Sequence, residues 1–405
     1  MLKKIGFYGM SHLGLCYSAA FAQKNFNIIS VDQDIKIIGK LKKGKAHIFE
    51  KDLDKFISKK NINFSNKIKD LNKCDVVFFS YDVKTDLHNI SNIEHIKKEI
   101  LKLDYNLKKK IPIIILSQVY PGFTRSLKLK RSTYYQVETL IFGEAIKRAL
   151  SPERIIIGKK NKKIKLSKNL LNLYKKFSPN IIQMNYESAE LSKISINLML
   201  ISTIMTSNFI SLHCEKIGAN WPDIKYALQL DKRIGKFSYL SPSPGLSGGN
   251  LERDLANSQR LFTYKKILNS WIDLDKKMKL WSLNIIKQNL PLNSKILISG
   301  LTYKKNTSSV KNSLSLLIIK KLKSKYVLNV IEKNNQIKLD ENIDVKKNYK
   351  DIKEKFDCII FINDVFRPDL LKRLTKKNTI YVDPYGYFKK FLTDKKNKYF
   401  AIGNY

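Results

Sequence analysis

The feature that most constrains this chain lies in its first 32 residues. A short apolar run at 4–9 leads into Gly9-Met-Ser-His-Leu-Gly14, then an apolar stripe at helical spacing (Leu15, Ala19, Ala22), then Ile28-Ile29-Ser30-Val31-Asp32. This reads as strand, glycine turn, helix, strand, the opening of a βαβ unit with parallel strands. In such a unit the first glycine makes the tight turn, the second lets the backbone approach a diphosphate, and the third lets the helix lie close against the strand. Gly9 and Gly14 take the first and third places. Ser11 takes the second, where its Cβ and hydroxyl crowd the space a diphosphate needs. The helix N-terminus still offers free N–H groups and a positive dipole end to an anion. Asp32 ends the second strand, about 20 residues on, where a carboxylate binds ribose hydroxyls and repels the extra phosphate of NADP. The expected cofactor is therefore NAD, bound by Gly9, Ser11, Leu13, Gly14 and Asp32. His12 lies inside the same loop and is counted with it rather than as a catalytic histidine.

The alternation continues. Val76–Ser80, Ile111–Ser117 and Ile155–Gly158 read as buried strands, with helical pattern at Glu144–Ala149. Helices then cover both faces of a mostly parallel sheet. The character changes at Glu187. From there to Lys216 the chain holds no Gly or Pro and keeps an apolar stripe (Leu191, Ile194, Leu198, Ile201, Met205), which predicts one long helix. A second helical segment follows Trp221. Next comes Leu240-Ser-Pro-Ser-Pro-Gly-Leu-Ser-Gly-Gly249, set between helices and read as a rigid binding loop. A helical stretch at Trp271–Asn289 ends before Pro291, and the α/β pattern restarts. Lys295–Gly300, Val327–Ile331, Cys358–Ile362 and Thr379–Val382 read as strands, and Ser313–Lys323 as a helix. The expected fold class is α/β, with two Rossmann-like parallel-sheet domains joined by a central helical domain built on one long helix. Its expected parts are residues 1–186, 187–290 and 291–405.

Composition narrows the class. A chain of 405 residues with 43% hydrophobic content can bury more than one core. Lys and Arg number 76 against 35 Asp and Glu, a formal charge of +41. Such a field attracts polyanions, yet no single basic arm stands out and Lys, Asn and Ile are abundant together throughout. The charge is therefore read as compositional bias that favours anionic small molecules, rather than as a nucleic-acid site. Cys16, Cys74, Cys214 and Cys358 lie far apart without metal-ligand spacing, so no metal is expected. This is the usage of a reducing, cytoplasmic protein. No apolar run approaches the ~18 residues that span a bilayer, so no membrane insertion is expected. Met1–Gln23 mimics a signal peptide, but its glycines and the strand that follows read as folded protein.

Further motifs appear in order. They are Ser117-Gln-Val-Tyr-Pro-Gly-Phe-Thr-Arg125, Gln136-Val-Glu-Thr-Leu-Ile-Phe-Gly143, Arg154-Ile-Ile-Ile-Gly158, Glu190-Leu-Ser-Lys-Ile-Ser-Ile-Asn197, Leu230-Asp-Lys-Arg-Ile-Gly235, Pro244-Gly-Leu-Ser-Gly-Gly-Asn-Leu-Glu-Arg-Asp254 and Gly300-Leu-Thr-Tyr-Lys-Lys-Asn-Thr307. Together they resemble the UDP-glucose/GDP-mannose dehydrogenase family from end to end. The family oxidises the C6 alcohol of a nucleotide sugar to a carboxylate with two NAD. Its second hydride transfer needs a tetrahedral adduct, which a cysteine thiolate supplies as a thiohemiacetal. Asn250 stands at that cysteine position, and a carboxamide is no nucleophile at neutral pH. Other departures are Gln118, Val137 and Phe142. Asp82 stands where an early Thr-Pro pair has its threonine, and Ser308, Ser309 and Lys311 replace charged residues of the family.

The resemblance implies roles for what remains. Lys193 and Asn197, four apart on one helix face, would stabilise the oxyanion. Glu138 would orient water or accept a proton, and Asp254 would be the activating carboxylate of the loop that holds Asn250. Ser117 would join the cofactor residues. Arg233, Tyr239, Gly248, Gly249 and Lys304 would bind the nucleotide sugar, with a UDP-sugar favoured. A homodimer through the long helix is implied in the same way. Three functions stay open at this point: an oxidoreductase altered at its second step, a non-catalytic binder of NAD or nucleotide sugar, and a nucleic-acid-associated basic protein.

Overall fold

The computed structural model describes residues 2–86, 89–302, 310, 312–333, 345–363, 366–392 and 397–404. They fall into two compact units, Met1–Ile196 and Asn197–Tyr405. The division lies inside the long helix rather than at its start, because that helix runs unbroken over Tyr186–Ile217.

The first unit is built on β1 (Lys4–Tyr8), β2 (Asn27–Val31), β3 (Ile62–Ser65), β4 (Val76–Phe79), β5 (Ile113–Ile115), β6 (Thr133–Gln136), β7 (Ile155–Lys159) and β8 (Ile181–Asn185). They form one sheet in the order β3-β2-β1-β4-β5-β6-β7-β8. Every pair is parallel except β6 with β7. Both faces are covered, which is why the inner strands are continuous apolar runs rather than alternating ones. Val76–Phe79 is buried at every position. Phe7 stacks on Phe78 with centroids 5.1 Å apart and meets the edge of Phe21 at 5.3 Å. These rings join the sheet to the helix His12–Gln23 (α1).

In the second unit the long helix is followed by helices Trp221–Leu230, Asn250–Leu261 and Lys266–Asn289. A second sheet follows, of β9 (Lys295–Ser299), β10 (Val327–Ile331), β11 (Val345–Lys346), β12 (Phe356–Phe361), β13 (Thr375–Val382) and β14 (Tyr399–Phe400). Its order, β11-β10-β9-β12-β13-β14, repeats the order of the first six strands of the other sheet. The repeat extends to detail. Gly9 and Gly300 end the first strand of each sheet at φ +100° and +97°. The N–H of the next residue, Met10 or Leu301, donates to the carboxylate that follows the second strand, Asp32 (2.7 Å) or Glu332 (2.8 Å). The two-sheet α/β architecture expected from the sequence is the one observed.

One expectation needs correction. The long helix is apolar enough to cross a membrane by length and composition alone. Its polar side chains are nonetheless spent on the protein. Asn208 Oδ1 accepts the N–H of Ser243 at 2.8 Å, and Glu215 accepts Trp281 Nε1–H and the N–H of Gly403.

Two contacts fix the start of α1. A Cβ on Gly14 would lie 1.9 Å from the carbonyl oxygen of Gly9 and 2.8 Å from Ser80 Oγ. The helix therefore sits on β1 at a distance only glycine permits. Glu50, 5% exposed, provides the second contact. Its Oε2 lies 2.9 Å from His12 Nε2 and accepts the N–H of Gly143 at 3.0 Å, while Oε1 accepts the N–H of Ala145 at 3.1 Å. Burial alone would raise the Glu50 carboxyl. The His12 ring and the two N–H groups outweigh burial and hold it below the ordinary carboxylate value.

Gly14→Ala is expected to cost about 3 kcal/mol, the upper end of overpacking penalties, and to lower Tm by roughly 6–12 °C in calorimetry. An unchanged Tm would mean that α1 can retreat from β1 freely. Because the Glu50 carboxyl is depressed in the folded state, its contribution is complete above about pH 4.3 and is lost as pH falls through the lower folded value. Glu50→Gln is therefore expected to be less stable by about 2 kcal/mol at neutral pH. The gap to the unmodified protein should close in denaturant titrations run below about pH 4, and a gap independent of pH would contradict the ionised pairing.

Candidate active site

In the first unit the strand order reverses between β1 and β4, which is where an open α/β sheet binds its ligand. Gly9 ends β1 with its N–H on the carbonyl of Val31 at 2.8 Å. A Cβ there would strike the Tyr81 ring at 2.6 Å. Asp32 accepts Met10 N–H on Oδ2 and Asp34 N–H, 2.9 Å away, on Oδ1. Each carboxylate oxygen keeps a second lone pair, enough for ribose hydroxyls. These features fit a dinucleotide. Ser11, expected to crowd a diphosphate, turns its hydroxyl aside instead. Oγ donates to the carbonyl of Ser80 at 2.8 Å and accepts the N–H of Asp82 at 3.0 Å. His12 is equally committed, with its ring on Glu50 and over Phe142 at a centroid distance of 4.3 Å. Ser117 donates to the carbonyl of Tyr81 at 2.5 Å, so its hydroxyl ties two sheet ends together.

The same unit holds a buried ion pair. Lys193 Nζ lies 2.8 Å from Glu138 Oε1, with side chains 10% and 17% exposed. The other Glu138 oxygen accepts the N–H of Leu140 at 2.9 Å, which fixes the carboxylate. One helical turn earlier, Glu190 accepts Gly122 N–H at 2.6 Å and Thr124 N–H at 2.8 Å. Burial raises its carboxyl although these donors pull the other way. Glu190 thus fastens the segment that follows Ser117 to the helix carrying Lys193.

In the second unit the Pro/Gly loop is pinned from two helices. Leu246 N–H donates to Asp275 at 2.5 Å, beside the Asn208–Ser243 bond. Lys279 lies between Glu252 (2.6 Å) and Asp275 (2.8 Å). Burial alone would lower this lysine, but the two carboxylates raise it. Gly248 and Gly249 both take positive φ, +85° and +90°. Gly249 caps the helix on which Asn250 is the first residue, and Asn250 is exposed. Asp254, 1% exposed, bonds Asn197 Nδ2 and takes Arg253 Nε–H at 2.9 Å. Arg233 is 89% exposed at its side chain and paired with Asp231 at 2.6 Å, so its charge is partly spent locally. Tyr239 is 45% exposed. Lys304, with Ser308, Ser309 and Lys311, lies outside the described residues.

Four of the five predicted catalytic residues thus form two pairs, Lys193 with Glu138 and Asn197 with Asp254, while the fifth, Asn250, is exposed at the start of its helix. Sequence reasoning missed Glu50, Arg253, Asp275 and Lys279. The i,i+4 spacing of Asp275 and Lys279 on one helix was a usable signal; Glu50 offered none.

No thiol stands in for the missing cysteine. All four are buried. Burial pushes the Cys74 thiol up to about 12, and raises Cys16, Cys214 and Cys358 as well. His12, Cys16 and Glu50 bring donor atoms within 4.8 Å of one another, as a metal would require. The Glu50 oxygens already take three donors and the Cys16 thiol is kept protonated, so the group serves to dock residues 143–145 on α1.

Residues 3–178 match the model of the UDP-glucose/GDP-mannose dehydrogenase family NAD binding domain, and residues 187–273 match that family's central domain. The chain is 30% identical over 351 residues to a UDP-glucose 6-dehydrogenase of Rickettsia typhi, covering 80% of this chain and 79% of the relative. It is 29% identical over 379 residues to a UDP-glucose 6-dehydrogenase of Campylobacter jejuni, covering 88% and 93%. A UDP-glucose dehydrogenase structure from Pyrobaculum islandicum has the same fold, with a TM-score of 0.88 at 19% identity over 100% of this chain and 98% of that one. On these matches the chain belongs to the UDP-glucose/GDP-mannose dehydrogenase family and carries its NAD-binding domain in residues 3–178.

Proposed function

We propose that this protein oxidises the C6 hydroxymethyl group of a nucleotide sugar, a UDP-sugar foremost, to the aldehyde, and that it stops there. NAD, when bound, accepts the hydride that leaves C6. Glu138 takes the hydroxyl proton, so the oxygen becomes the carbonyl oxygen. The Lys193 ammonium, held beside Glu138 at 2.8 Å, stabilises the negative charge that develops on that oxygen. Asn197 is tied to Asp254 and fixes the helix that starts at Asn250. The observation that carries the two-electron limit is Asn250, an exposed carboxamide where the family has its thiol, in a chain whose four thiols are all buried. Without a thiohemiacetal the aldehyde can give up its C–H hydride only from a hydrate. On this reading no base is left to hold a water against the aldehyde, because Asp254 is bonded by Asn197 and Arg253 and Glu138 carries the proton taken in the first step.

The three-part division of roles follows from this reading. Residues 1–186 hold NAD, 187–290 carry the loop, and 291–405 bind the nucleotide through Lys304, with Arg233 and Tyr239 contributing from the middle. A cytoplasmic homodimer through the long helix belongs to the same proposal. It is supported by the exposure of Met199, Phe209 and Ile217, which recur along one side of that helix.

Incubation with NAD and a panel of UDP-sugars is expected to yield one reduced cofactor per sugar consumed, with an aldehyde that hydrazine reagents trap. Two per sugar would disprove the two-electron limit. Silence across the panel with calorimetric binding intact would leave a binder without turnover. Asn250→Cys should move the ratio towards two. Lys193→Met should lower kcat by about 100- to 1,000-fold while NAD affinity, measured by calorimetry, stays within about twofold; an equal loss of both would reassign Lys193 to the fold.

A further inference from the structure

We infer that Asp82 sets the affinity of this protein for its cofactor, because its carboxylate competes with the dinucleotide diphosphate for the N-terminal turn of α1. The inference rests on the assignment of residues 3–178 as an NAD-binding domain. The first N–H groups of a helix have no partner within it, and in a βαβ nucleotide fold the diphosphate takes them. Here Ser11 occupies the N-cap without making a side-chain cap bond. Its hydroxyl is spent on Ser80 and on the N–H of Asp82. That second bond draws the backbone of Asp82 onto the loop, and Asp82 Oδ2 then lies 3.4 Å from the N–H of Leu13, the second residue of α1. A carboxylate from the end of β4 thus faces a donor that the N-cap residue leaves open.

The surroundings sharpen the point. Lys and Arg outnumber Asp and Glu by 76 to 35 in this chain. The charged side chains bonded to residues 9–14 are nevertheless the carboxylates of Asp32 on Met10, Glu50 on His12 and Asp82 on Leu13, among the described residues. Composition would place basic groups there by default, so the loop departs from its background. Asp32 has a positive role toward ribose, and Glu50 is turned inward to 143–145. Asp82 Oδ2 faces the Leu13 N–H itself, and its surroundings raise the carboxyl above its ordinary value, burial first, while His12, the Ser11 hydroxyl and the Leu13 N–H pull the other way. A diphosphate approaching α1 must either displace this carboxylate from Leu13 or bind beside it against like-charge repulsion. Both routes weaken diphosphate ligands, and leave ligands without phosphate untouched. The position is one where the family has a neutral threonine, so the effect belongs to this chain.

The experiment is calorimetric titration of the full chain and of Asp82→Asn with NAD, ADP-ribose and adenosine. Asparagine keeps the shape and can still accept from Leu13, so folding is preserved and only the charge is removed. The expected result is about tenfold tighter NAD and ADP-ribose binding, which corresponds to about 1.4 kcal/mol, with adenosine unchanged. The gain should shrink as salt is raised, and Asp82→Glu, which keeps the charge, should stay near the unmodified protein. Equal NAD affinity in the unmodified protein and Asp82→Asn overturns the inference and leaves the cofactor assignment standing. A gain that extends equally to adenosine overturns it in favour of a positional effect. Absence of NAD binding in both proteins overturns it together with the cofactor assignment.

Discussion

The seating of α1 on β1 is the constraint from which the cofactor side of this molecule follows. With Gly14 directly against the carbonyl of Gly9, the helix N-terminus is brought to the point where the strand order reverses. The turn at Gly9 is then forced to positive φ, and Met10 N–H is aimed at Asp32. Any side chain at residue 14 would lift the helix and separate the donors of α1 from the carboxylate of β2. The second sheet meets the same demand in its own way. At Gly300 a Cβ would meet the Asn363 side chain at 2.4 Å, and Glu332 takes the place of Asp32. Two sheets of one strand order, each with a glycine and an acid at equivalent points, describe one structural device used twice.

A second principle concerns acidic side chains, which are scarce here. Many of them accept backbone N–H groups of loops. Glu50 takes those of Gly143 and Ala145, Glu190 those of Gly122 and Thr124, Asp275 that of Leu246, and Asp383 that of Phe388. A buried loop N–H left alone costs about 1–3 kcal/mol, and a charged acceptor repays more than a neutral one. Carboxylates committed in this way are withdrawn from the surface, where lysines then dominate. The net charge of +41 is a count over the whole sequence; what the placement of these acids changes is only that the surface shows the lysine excess more fully.

Patterns with strong local signals were legible in the sequence. The glycine turn, Asp32, the long helix and the restart of α/β pattern at Lys295 all emerged from spacing and apolar runs. The strand expected at Ile111–Ser117 is confined to Ile113–Ile115, because Pro112 and the turn at Ser117 leave only three residues in register. Strands at Ile62–Ser65, Thr133–Gln136 and Ile181–Asn185 carry mixed polar and apolar residues, and nothing local set them apart. The helix at Asn250–Leu261 was read only as the end of a loop, since Gly248 and Gly249 hide its N-terminus. Motif order supplied Lys193, Asn197, Glu138 and Asp254. It could not supply Glu50 or Lys279, or the bond of Arg253 to Asp254, because these act through contacts that only the tertiary fold creates.

The loop around Asn250 keeps a frame that would activate a thiol, with a carboxamide set in it. A cysteine at the first position of a helix would have its thiolate favoured by the helix dipole, and that helix N-terminus persists at Gly249–Asn250. The backbone therefore still offers the environment that activates sulfur. Two residues on, Glu252 stands where the resembling loop has proline, and it is held by Lys279 and Asn312. A proline there could make neither bond. The loop has thus exchanged a stiff residue for a charged anchor, buried beside Asp254 on the same helix. On the proposed two-electron reaction, this re-fastened loop serves a first hydride transfer and needs no nucleophile for a second.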